Sequence, residues 1–167
     1  MNQSELNIHP SYDSFLDSEQ IQKEKENLQV ITEKIITGSR QHYLRFQLPE
    51  SYRGLINAGI EDDYSMGFAE HLGFRSGTAR AHKWFDLKSN EITELTIHPF
   101  VYMDGTLHEY MGLTTSDSQS RIKDLYDEVE EFGGDFIFIW HNETIGDYNN
   151  WNGWSEVLDF TLNLKNE

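Results

Sequence analysis

The chain has no cysteine. Disulfides and thiolate metal sites are therefore excluded, and any metal must be held by His, Asp, Glu or water. It has only three prolines, Pro10, Pro49 and Pro99, each near the start or end of an apparent element. It has no apolar run long enough to cross a bilayer. Basic residues are scarce, with 13 Lys and Arg against 29 Asp and Glu and a formal net charge of −16. That balance repels phosphate backbones and anionic bilayers, so neither nucleic acid nor a membrane is the expected partner. Met1–Asn7 has no basic flank and no apolar core, so no signal peptide is read there and a cytoplasmic location is expected.

What is present is a globular composition, 37% hydrophobic and 13% aromatic over 167 residues, which fits one domain with a sizeable core. Asp17 or Ser18 opens a helix in which Ile21, Leu28, Ile31 and Ile35 recur at helical spacing and which Gly38 ends. His42 to Leu48 reads as a strand. Pro49 opens a short helix that closes near Gly59. An extended piece covers Ile60 to Met66, a glycine-containing loop Gly67 to Thr78, and a strand Ile92 to Phe100. Ser116 caps a second long helix with Ile122, Leu125, Val129 and Phe132 on one face, stopped by Gly133 and Gly134. Phe136 to Trp140 is apolar on both faces, the pattern of a strand buried between helix layers. A last helix runs from Trp154 to Leu164. Alternating helices and strands with short connections predict an α/β fold with a mostly parallel sheet. The strands so read are too few to close an eight-strand barrel.

In parallel α/β folds, ligands bind beyond the carboxyl ends of the strands. The strand Phe136–Trp140 leads straight into His141, Asn142 and Glu143, where an imidazole is well placed for acid–base work. Polar loops follow most strands, which gives the bland alternative equal weight. Pro10 restrains His9 to extended conformations, and His42 opens a strand. Taken alone, both histidines read better as loop and edge residues. Asp62 and Asp63 are adjacent in an extended piece, so at most one faces a site. Arg75 stands between Gly73 and Gly77, where it can orient a carboxylate. Met103-Asp104-Gly105 reads as a turn first and a site second. Trp140, Trp151 and Trp154 can stack on sugar rings, although capping the core is the commoner role. His71, His82, His98 and His108 show no partner pattern and read as surface or packing residues.

Taken in order, Ile-His-Pro-Ser-Tyr, Ser-Arg-Gln-His-Tyr-Leu-Arg-Phe, Ala-Gly-Ile-Glu-Asp-Asp-Tyr-Ser-Met-Gly-Phe, Gly-Phe-Arg-Ser-Gly-Thr, His-Pro-Phe-Val-Tyr-Met-Asp-Gly-Thr-Leu and Ile-Trp-His-Asn-Glu-Thr resemble the polysaccharide deacetylase-like (NodB-homology) proteins, over His9 to Trp154. The resemblance implies a partial distorted (β/α) barrel and a metal-dependent de-N-acetylase acting on an acetylated sugar or polysaccharide. It implies a divalent metal, zinc with cobalt, nickel or iron as alternatives, held by His9 and His42. It makes His141 the late catalytic histidine, Asp63 the acid that orients a catalytic group and Arg75 the active-site arginine. Trp140, Asn142, Glu143 and Trp151 become the substrate-binding residues. The sequence departs from the family pattern at its start. The usual His-x-x-x-His spacing is absent, since position 5 is Glu5, and nothing before His9 reads as the strand that carries the family's aspartates. The expectation is a truncated barrel, inactive alone or completed by a partner segment. Its open sheet edge would favour homo-oligomers. The alternative is a non-catalytic carbohydrate-binding or oligomer-forming remnant.

Overall fold

A computed structural model describes residues 5–146 and 148–166. The chain divides into two compact units. One comprises the residues up to Met66 together with Ala81–His98; the other comprises Gly67–Arg80 and the residues from Pro99 onward. The class is α/β, with mostly parallel strand pairing in both units. Among the described residues no helix is long and apolar enough to cross a membrane.

The first unit begins with helix α1, Ser18–Thr32. Asp17 is its N-cap, accepting a hydrogen bond from the Gln20 amide at 3.0 Å. The helix ends at a left-handed Glu33, earlier than its apolar spacing suggests. Ile21 is buried, but Ile31 and Ile35 are 79% and 85% exposed. The expected helix to Gly38 is therefore corrected: the left-handed residue breaks the periodicity, and Gly38 lies in a strand. That strand, β1 (Gly38–Ser39), pairs in parallel with β2 (Asp62–Asp63), and β2 pairs in parallel with β4 (Glu91–Ile97). Strand β3 (His82–Asp86), which the sequence did not suggest, runs antiparallel beside β4. The sheet order is β1-β2-β4-β3, and Ile8 adds a single parallel bridge to Ser39 at the β1 edge.

Helix α2 (Glu50–Asn57) follows Pro49 as expected and buries Tyr52 and Leu55 against the sheet residues Leu95 and Ile97. The expected strand His42–Leu48 is not formed. Tyr43 and Leu44 have φ of 54° and 51°, which an extended strand cannot accommodate, and His42–Leu44 is one 3₁₀ turn. Its bonds are local, from the Leu44 amide to the Gln41 carbonyl and from the Arg45 amide to the His42 carbonyl, both 3.0 Å.

In the second unit, β5 (Tyr102–Met103) pairs in parallel with β6 (Phe138–Ile139). The core of the expected strand Phe136–Trp140 is thus confined to two paired residues. Helix α3 (Thr115–Phe132) lies between them in sequence. Its cap is Thr114, not Ser116: the Thr114 hydroxyl accepts from the Asp117 amide at 3.1 Å and donates to the Asp117 carboxylate at 2.7 Å. Ile122 and Val129 are buried, whereas Phe132, at the last turn, is 71% exposed. Gly133, with φ of 76°, ends the helix. Helix α4 (Ser155–Asn163) supplies Val157 to a core that also holds Tyr102, Leu107, Trp151 and Trp154.

The two faces of α1 and α2 give a direct test. Leu55→Ala is expected to cost about 2–5 kcal/mol in urea unfolding, because Leu55 has no exposure. Ile31→Ala should change stability by no more than about 0.5 kcal/mol. Comparable losses for both would place Ile31 in a core that the fold does not give it.

Candidate functional site

Chemistry-bearing residues collect where parallel strands end, and each unit has its own set. In the first unit the parallel register puts Ser39, Asp63 and Ile97 in one row, all buried, and Gly38, Asp62 and Thr96 in the next. Successive residues face opposite sides of a sheet, so the two neighbouring aspartates are separated. Asp63 has no exposure. Its carboxylate accepts from the Ser65 amide at 2.9 Å and the Ser65 hydroxyl at 2.7 Å. The Ser65 hydroxyl oxygen in turn accepts from the Gln41 amide at 2.8 Å. Burial pushes the Asp63 carboxyl up to about 6, against the opposing pull of the Ser65 bonds, a hydrogen bond from Tyr52 and the Arg40 charge. Arg40 sits directly after β1 and donates through Nε to the Tyr64 carbonyl at 3.0 Å.

Asp62 faces the other way and accepts from His98 Nε2 at 2.7 Å. The His98 ring stacks on Tyr64 at 4.5 Å with 13° between planes. His98 follows β4 directly, so it has the partner that its sequence context did not reveal. The strand-end argument that singled out His141 would have found it.

His9 and His42 come together, with ring centroids 4.8 Å apart. His9 Nδ1 donates to the Arg40 carbonyl at 2.7 Å, which leaves the lone pair of a neutral ring on Nε2. This backbone bond is the arrangement that orients a ligating histidine. Metal–nitrogen bonds to imidazole are about 2.0–2.1 Å long, so two rings this close could both reach one ion. Among the described residues no group of three or more His, Asp or Glu side chains stands ready to hold a metal. Around them stand Tyr12, Tyr43 and Arg45. Tyr43 meets His42 edge to face at 4.6 Å and Tyr12 at 6.1 Å. The Arg45 guanidinium lies 4.6 Å from the Tyr12 ring centre and 4.0 Å from that of Phe15. Left-handed backbone at Tyr43 and Leu44 costs about 1–3 kcal/mol per residue and persists only where its surroundings impose it.

In the second unit Asp104 directly follows β5 and His141 follows Trp140 after β6, whose strands are paired. Asp104 has no exposure, while the His141 side chain is about half exposed. One carboxylate oxygen accepts from His141 Nδ1 at 2.6 Å; the other accepts from the His141 amide at 2.9 Å and the Thr144 hydroxyl at 2.5 Å. Burial pushes the Asp104 carboxyl up, but the bonds from His141 and Thr144 outweigh it and hold the group below its ordinary value. The bond to Asp104 raises the His141 pKa, aided by the charges of Asp104, Glu143 and Glu109 and opposed by burial. Met103-Asp104-Gly105, read first as a turn, is thus a site residue flanked by a strand and a π-helical turn, Thr106–Tyr110.

Asn142 and Glu143 are exposed in the 3₁₀ turn after His141. Arg75 is exposed in a turn closed by the Gly77 amide on the Phe74 carbonyl at 2.9 Å, and Gly77 has φ of 74°. Trp140 is half-buried. Trp151 is corrected as a sugar-stacking surface: at 9% exposure it belongs to the core, as does Trp154 at 3%. Both rings pack on His108, at 4.5 and 4.6 Å. Comparison with family models, curated proteins and solved structures finds no match for this chain.

Asp104→Asn should bring the His141 pKa down towards the ordinary value of about 6.5, as read by NMR titration of the imidazole. The same pair gives the fold a pH window. The raised His141 pKa contributes stability that is full below the unfolded value and lost as pH rises through the folded one. The lowered Asp104 pKa contributes stability present above the unfolded value of about 3.9 and lost as pH falls through the folded one. The stability difference between wild type and Asp104→Asn should therefore be largest between those limits and shrink on either side. A His141 pKa unchanged in the variant would remove Asp104 as its cause.

Proposed function

We propose that this chain carries part of an amide-hydrolysing site, in a distorted (β/α) barrel, that removes acetyl groups from an N-acetylated carbohydrate. The observation that supports this best is the pairing of buried Asp104 with half-exposed His141. Asp104 holds the ring by Nδ1 and favours its protonated form, so Nε2–H is the proton that His141 presents outward. Hydrolysis adds water to the amide carbonyl and breaks the C–N bond, and the nitrogen must leave protonated. His141 supplies that proton, and the products are acetate and an amine. Asp63 and Asp104 have no exposure and act in this reading as orienting carboxylates, not as the base that takes the proton from water.

His9 and His42 are the residues that would hold a divalent ion, zinc or else cobalt, nickel or iron, together with donors beyond the described set. When bound, such an ion would supply Lewis-acid chemistry. Arg75, Asn142 and Glu143 are exposed and take the substrate-orienting roles. The acidic surface suits a neutral sugar, and deacetylation leaves an amine that it attracts.

Acetate release from N-acetylated chitooligosaccharide, with each of the four metals added in turn, tests the reading. His141→Ala should lower the rate about 100-fold or more. Asp104→Asn should move the alkaline limb of the pH–rate profile to lower pH, because a general acid with a lower pKa loses its proton sooner. In calorimetric titration of zinc, His9→Ala should abolish binding that the wild type shows. No acetate release by the wild type with any of the metals would sink the hydrolase assignment.

A further inference from the structure

We propose that Tyr43, braced edge to face by Tyr12 beside the His9–His42 pair, presents an aromatic platform that binds the apolar C–H face of a pyranose ring. The inference rests on the carbohydrate reading above and assigns the ring-binding surface to a residue that the motifs themselves give no role. Large aromatic side chains are usually buried, yet Tyr43 is 80% exposed and Tyr12 54% exposed. They are also fixed in place. Tyr43 is projected from a left-handed backbone, with φ of 54° and ψ of 22°, and its ring is braced edge to face against both His42 and Tyr12. Tyr12 is clamped by the Arg45 guanidinium, which also covers Phe15. An exposed aromatic cluster held rigid at a conformational cost is what a stacking site requires, since little freedom is lost on binding.

The chemistry around the rings selects the ligand. Arg45 already sits over Tyr12, so a second cation is disfavoured on that ring. A nucleotide would bring phosphates to a chain of net charge −16. A sugar offers an apolar ring face to Tyr43 and hydroxyls around its rim. Those hydroxyls can exchange hydrogen bonds with the tyrosine hydroxyls.

The test is calorimetric titration of the full chain with N-acetylated chitotetraose, with the melting temperature of each variant recorded. Tyr43→Gly removes the ring while suiting the left-handed backbone, so it keeps the turn. It should weaken binding about tenfold or more, and Tyr43→Phe should restore most of the affinity. Tyr12→Ala should weaken binding in the same direction. Wild-type affinity in Tyr43→Gly overturns the platform, as does the absence of saturable binding to the wild type. The outcome is separable from the hydrolase assignment. Acetate release with sugar binding indifferent to Tyr43 overturns the platform alone. Sugar binding that depends on Tyr43, without acetate release under any metal, leaves the platform standing and removes the hydrolase.

Discussion

A carboxylate that has lost all contact with water must find its hydrogen-bond donors inside the protein, or it will not stay ionised. Among the described residues two aspartates are in that position, Asp63 and Asp104, and both stand at the carboxyl end of a parallel strand. Asp63 takes its donors from Ser65 two residues on, and Ser65 then fixes the Gln41 amide, so one buried acid orders two strand-end loops. Asp104 takes its donors from across the β5–β6 pair, and this fastens His141 and Thr144 to the end of β5. The geometry of each candidate site follows from how its acid is satisfied.

The two acids end in opposite electrostatic states. Asp104 collects three donors besides the adjacent Gly105 amide, one of them an imidazole that can carry charge, and its pKa falls. Asp63 has Ser65 and Tyr52 as donors and Arg40 as a more distant charge, and burial wins, pushing it to about 6. Asp104 is therefore ionised near neutrality and can charge its histidine, whereas burial lifts the Asp63 carboxyl well above the ordinary carboxylate range. Burial to the same degree thus gives different chemistry according to the donors within reach.

Much of the helical framework was legible. Asp17 as a cap, the helix after Pro49 and the stop at Gly133 rest on local chemistry that a short window contains. The extended piece before Met66 and the strand near Ile92–Phe100 were legible from their apolar patterns. The failures share a cause. Tyr43 and Leu44 look like strand residues, but their left-handed backbone is imposed by the turn that brings His42 to His9. Ile31 and Ile35 look like core residues, but the helix ends before a second layer covers them. Strand β3 escaped notice because Lys83 and Asp86 interrupt its apolar pattern and its pairing with β4 is irregular.

By itself the sequence determined the α/β class, the acidic charge balance, the absence of thiol chemistry and His141 as a residue at a strand's end. These depend on composition and on patterns within one element, which neighbouring residues are enough to set. Only the tertiary structure decided that Asp104 is the partner of His141, that Asp62 and not Asp63 meets His98, and that Trp151 belongs to the core. Each of those facts depends on strand register and on pairing between residues 36 or 37 positions apart, or on which face of an element is covered. Such choices are made by hydrogen-bond satisfaction and burial over the folded unit, and no local stretch of sequence carries them.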